Sequence, residues 1–144
     1  MAALSRFLKC RRGSSATEFA LVLTPLMMLM FAVCEYGRLM YAQEGVQETA
    51  IAGARCIGIH NASCSANGVY DASSATTFIQ SEAQQWSLTV PNSGITVTTP
   101  TNCGGVSGFT QVQVSYTFQS AMPQLMGLLA AGTVLTATAC FPTA

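Results

Sequence analysis

A cluster of positive charge stands directly before an uncharged apolar run, and this juncture limits what the chain can become. Arg6, Lys9, Arg11 and Arg12 fall within the first twelve residues, where there is no acid. Gly13 and the polar stretch Ser14-Ser15-Ala16-Thr17-Glu18 come next, and then an uncharged run from Phe19 to Cys34. The positive-inside rule keeps such a leader cytoplasmic and sends the chain beyond the run outside. The sixteen residues of the run cover only about 24 Å as a helix, against about 30 Å of hydrocarbon. The polar flank of Phe19 and the segment containing Tyr36, Leu39, Met40 and Tyr41 can extend it at either end. Beyond the run the chain is poor in charge. All six basic residues, the last two being Arg38 and Arg55, lie before position 56, and the only later acids are Asp71 and Glu82. A surface with so few cations cannot grip a nucleic-acid backbone, so that partner class is excluded.

Three kinds of N-terminal segment share this outline. A cleaved secretory signal needs a small-x-small site after the run, and Val33-Cys34-Glu35-Tyr36 has none. A lipoprotein cysteine needs a small residue just before it, and Val33 precedes Cys34. An uncleaved signal anchor and a leader cut on the cytoplasmic side both remain. Glu18 separates these two. A carboxylate at the mouth of a membrane segment is costly and is commonly functional or paired, although an acid in the first helical turn also suits the helix dipole. The dipole does not explain Gly13, five residues upstream and directly after Arg11-Arg12.

Basic residues, a glycine, four residues and then Glu-Phe form the processing pattern of Flp/Tad-class prepilins. The segment from Gly13 to Leu26 resembles the opening of the TadE-like family, a group of pseudopilins and minor pilins of the Flp/Tad pilus assembly system. Phe31 to Leu39 and Gly53-Ala54-Arg55 are similar to its continuation. Thr24 before Pro25, and Cys34 within the run, depart from the family's usual residues. The resemblance implies a basic leader over 1–13, a transmembrane helix continuing as an extracytoplasmic stalk over 14–58, and a small domain over 59–144. It implies a prepilin peptidase cut between Gly13 and Ser14, with Glu18 and Phe19 guiding the subunit helix against related subunits. The carboxylate of Glu18 would seek a neighbour's α-amine in a low-dielectric setting, where charge pairs are strong.

Residues 35–57 lack proline and are rich in helix formers. Tyr36, Leu39, Met40, Val46, Ala50, Ala54 and Ile57 recur at helical steps, so the helix is expected to continue past the membrane. Pro25 is expected to kink the span. Glu35 and Arg38 stand three apart, a spacing that allows an ion pair. Ala42, Gly45, Ala52, Gly53 and Ala54 make the stalk thin, which suits a similar helix from a partner.

The C-terminal part is expected to hold one helix and three strands. Asp71 to Ser74 reads as an N-cap for a helix reaching about Trp86, with Ala75, Phe78, Ile79, Ala83 and Trp86 on one face. Alternation predicts strands at Ile95–Thr98, Gln111–Phe118 and Leu135–Phe141, with Pro100–Gly108 as a hairpin loop and Met122–Ala131 as an apolar crossover. The fold class is therefore α+β, a long helix followed by a small three-stranded antiparallel sheet with one or two short helices. Cys56, Cys64, Cys103 and Cys140 suggest two disulfides and an oxidising compartment such as the periplasm. Four cysteines allow three connectivities. An up-down-up sheet favours Cys103 with Cys140, leaving Cys56 and Cys64 to pair locally.

Little here suggests chemistry. Cys56, His60 and Cys64 are spaced C-x3-H-x3-C, but a structural zinc site needs four ligands and reduced thiols. Asn61-Ala62-Ser63 matches a glycosylation sequon, a short pattern common by chance. His60 is the sole histidine and has no acid near it in sequence to orient it, and hydroxyls without a base are poor nucleophiles. The expectation is a non-enzymatic assembly protein with no cofactor, metal or small-molecule substrate. Its expected partners are the inner membrane, the prepilin peptidase and related pilin subunits. A signal-anchored periplasmic binding module is the alternative.

Overall fold

In a computed structural model, residues 14–121 and 134–143 are described. They form a helix α1 (Ser14–Gly58), a short hairpin β1 (Ser65–Ala66) and β2 (Val69–Tyr70), and a helix α2 (Ala72–Gln85). A 3-10 turn (Asn92–Gly94) then leads into strands β3 (Ile95–Cys103), β4 (Val106–Thr117) and β5 (Val134–Pro142). The class is α+β, as expected. Two compact units divide after Gly37.

In the first unit the described residues are the N-terminal part of α1. Its side chains are apolar on every side rather than along one stripe, the composition of a helix that meets no water. Leu21, Val22, Met28, Leu29, Phe31 and Val33 are all exposed. Thr24 keeps its hydroxyl satisfied by donating to the Ala20 carbonyl at 3.0 Å. Pro25 lies within the helix, and its missing N–H removes the bond that would close on Leu21.

The second unit is built on the rest of α1. Its inward face is Ala42, Val46, Thr49, Ala50, Ala54 and Ile57, all buried. Tyr36 and Met40, which share the helical spacing, are exposed. Small residues let the chain pack closely against the inward face. A Cβ on Gly45 would lie 2.8 Å from the Trp86 Cβ, and one on Gly53 would lie 2.8 Å from Ile79 Cγ1. At Ala42, Gly45, Gly53 and Ala54 the thin side of this helix is thus occupied by the chain's own folded domain, which corrects the expectation that these positions stay open for a partner helix. Thr49 can be buried there because its hydroxyl donates to the Gly45 carbonyl at 2.7 Å.

Both helices end in the same way. His60 adopts a left-handed φ of 53°. Its N–H donates to Ile57, and that of Asn61 donates to Cys56, each at 3.0 Å. This is a Schellman motif, with histidine at the position glycine usually takes. After α2, Ser87 (φ 58°) does the same, with Ser87 N–H on Gln84 and Leu88 N–H on Ala83. At its start, α2 is capped by Asp71, whose Oδ2 accepts the Ser74 N–H at 2.7 Å. Between the helices, Asn67 and Gly68 at φ 53° and 75° make the turn of a two-residue hairpin. That hairpin was not expected from the sequence, although Asn-Gly is its usual signature.

The sheet is antiparallel in the order β3-β4-β5. Val112 and Val114, both fully buried, present its inner face to the helices. Val97 and Ala139 flank Val112 in register, and Ile95 and Ala137 flank Val114. The hairpin loop is shorter than expected. β3 runs through Pro100 to Cys103 and the chain turns at Gly104-Gly105, both at positive φ. Pro100 is tolerated because β3 is an edge strand, where a missing N–H breaks no ladder. Register shifts absorb the irregularity around Thr101. The expected crossover over Met122–Ala131 lies outside the described residues.

Candidate functional site

Two regions carry the residues that the sequence singled out. The first is the start of α1. Ser14 opens the helix, while Gly13 lies outside the described residues. Glu18 lies just beyond the first helical turn and is exposed, next to Phe19 at 66% exposure. The structure therefore places Glu18 and Phe19 together, at the polar end of an apolar rod. Beginning at Ser15, the helix contains a stretch long and apolar enough to cross a membrane. At 45 residues the whole of α1 measures about 67 Å, more than twice a hydrocarbon core. Cys34 is a free, exposed thiol.

The second region is the stapled domain. Cys56 in the last turn of α1 is bonded to Cys64, with Cα atoms 6.0 Å apart. The bridge encloses the Schellman turn that His60 completes, so the histidine's backbone has a structural task. Among the described residues no group of three or more His, Cys, Asp and Glu could hold a metal ion. Cys103 is bonded to Cys140. Because β3 and β5 each pair only with β4, this bridge joins the two edge strands of the sheet. Nearby, the buried Thr110 hydroxyl lies 2.9 Å from that of Thr99 and 3.1 Å from that of Thr143, while Thr143 N–H donates to Gly108. The end of the sheet is thereby fastened covalently and by hydrogen bonds.

Electrostatics in this domain are sparse. Asp71 is held below the usual carboxylate range by the hydroxyl and N–H of Ser74. Tyr70 is pushed up by burial and, secondarily, by the charge of Asp71. Both effects belong to the helix cap. Arg38 sits over the Phe118 ring at 5.6 Å, within reach of a cation–π contact. The outward positions of the sheet are Thr96, Gln113 and Thr138 in one register row and Ser115 and Thr136 in another, an uncharged polar surface.

A groove between the helices was not foreseeable from the sequence. Glu48, Ile51, Ala52, Arg55 and Ile59 line it against Phe78 and Glu82 of α2. The i, i+3, i+4 spacing of these residues was visible, but nothing in sequence indicated that α2 would run alongside.

Residues 13–55, just under a third of the chain, match the family model described as TadE-like protein. No curated protein and no solved structure matches the chain.

Proposed function

We propose that the chain is a non-catalytic pilus assembly protein, a minor pilin or pseudopilin of a Tad-type system. In this role α1 anchors it in the bacterial inner membrane, with the leader cytoplasmic and the disulfide-bonded domain periplasmic. A prepilin peptidase cuts between Gly13 and Ser14, and the apolar helix then packs beside related subunits. The observation that carries this reading is the TadE-like match itself. It begins at Gly13 and continues through an exposed apolar helix, with Glu18 at the polar end.

The chemistry is consistent with that role. A cut after Gly13 would create an α-amine on Ser14, and a carboxylate five residues into the mature chain is placed to pair with such an amine on an adjacent subunit. In a water-poor surrounding that pair is far stronger than at a surface. Two disulfides suit an oxidising compartment.

N-terminal sequencing of the protein recovered from membranes of a host with an active prepilin peptidase is the direct test. The mature chain is expected to start at Ser14. An intact Met1 terminus in such a host would overturn the proposal and favour an uncleaved signal anchor carrying a periplasmic binding module. Glu18→Ala is expected to leave cleavage and insertion intact while reducing co-purification with pilin subunits by about tenfold or more, the scale of losing one desolvated charge pair.

A further inference from the structure

Inside the second unit, the C-terminal part of α1 has two long sides with different tasks. One carries Val46, Ala50 and Ala54 into the core. The other carries Glu48, Ala52 and Arg55 along the open groove whose far wall is Phe78 and Glu82. Ile51, at 43% exposure, adds apolar surface beside it. A groove with an apolar floor and charged rims between two helices is shaped for a third helix laid along it.

The order of the charges decides which helix. Glu48 and Arg55 stand seven residues apart on one side of α1, two turns or about 10.5 Å along the axis. Copies of this chain inserted in one bilayer from the same side bring their α1 segments together in parallel. In register, Glu48 then meets Glu48 and Arg55 meets Arg55, and like charges set side by side exclude the pairing. Sliding one copy by two turns satisfies one Glu–Arg pair only, and it displaces the slid copy's apolar span by the same about 10.5 Å against the hydrocarbon, a mismatch penalty.

We propose that the groove receives a parallel helix from a different chain. That helix carries an apolar stripe with a basic residue on the membrane side and an acidic residue two turns further out. Its basic residue lies between Glu48 and Glu82, and its acidic residue lies on Arg55. The inference rests on α1 being a membrane anchor.

A charge-reversed copy of the chain is a ready surrogate for such a partner. The full-length protein and its E48R/R55E variant, both carrying Cys10→Ser, Cys34→Ser and Ala52→Cys, are reconstituted in equal amounts into one population of liposomes, distinguished by tag size, and oxidised. Mixed crosslinked dimers are expected to exceed each homodimer by about tenfold, where chance pairing gives only a factor of about two. Adding Glu82→Arg to the parent chain is expected to lower the mixed product without changing insertion. Chance proportions, or an excess of parent homodimers, overturn the inference and would make a second copy the occupant or leave the groove without one. Alkaline extraction of the same liposomes separates the two failures. Release of the chain overturns the anchor and this inference with it, whereas retention with chance proportions overturns the groove assignment alone.

Discussion

Single positions in this molecule divide sharply into those that set the helix ends and those that fill the core. Asp71 belongs to the first kind. Its carboxylate, held low by Ser74, contributes stability that is fully present above the unfolded value of about 3.9 and fades as pH falls through the lower folded one. Thermal unfolding followed by circular dichroism should therefore lose stability below about pH 4, and Asp71→Asn should flatten that part of the profile. The change is expected to be small, because the group is exposed to solvent. Ile79 and Gly45 belong to the second kind. Ile79 is fully buried, and Ile79→Ala is expected to cost about 2–5 kcal/mol. Gly45→Val is expected to cost about 1–3 kcal/mol by overpacking, because the Trp86 Cβ it would strike at 2.8 Å is fixed to its own backbone. Denaturant unfolding of the full chain in detergent measures both.

Elements show how far the sequence could be read and where it could not. α2 and its Asp71 cap were legible, since the cap and the apolar spacing are local chemistry. Strand alternation located β5 to within a residue and the second half of β4, whose start at Val106 reads as hairpin loop, because one face of each is buried and the other is wet. β3 was cut short because Pro100 reads as a breaker. Its tolerance depends on the strand lying at an edge, which is a tertiary fact. The inward face of α1 is hard to read for a related reason. Glycine and alanine carry almost no hydrophobic signal, so the periodicity of Gly45, Thr49 and Gly53 marks no face in sequence. The start of α1 was legible as a motif, but the groove beside Arg55 needed α2 to be in place. The two disulfides also differ as elements. With sequence separations of 8 and 37, loop-closure entropy assigns about 2.6 kcal/mol to Cys56–Cys64 and about 4 kcal/mol to Cys103–Cys140. Replacing each pair by serine should lower denaturant midpoints in that order, with the long-range bridge costing more.

At the scale of the whole molecule, two units with opposite solvent preferences share one helix. Phe19 to Val33 presents apolar side chains outward on every side, a surface suited to lipid or to other apolar helices. The described residues from Arg38 onward fold around a core of the two helices and the three-stranded sheet. The bridge between β3 and β5 governs how the chain responds to tension. Tension applied along the chain cannot draw out the strands between Cys103 and Cys140, because the load passes through sulfur. With the bridge intact, that stretch adds nothing to the chain's extensible length. Reduction should release it, lengthening the unfolded contour in single-molecule stretching by about 120–130 Å for a separation of 37 residues at about 3.3–3.6 Å each. An unchanged contour would mean that the bridge does not carry load. As bonded here, β4 and most of β5 are shielded from the force, while β3, which precedes Cys103, still bears it.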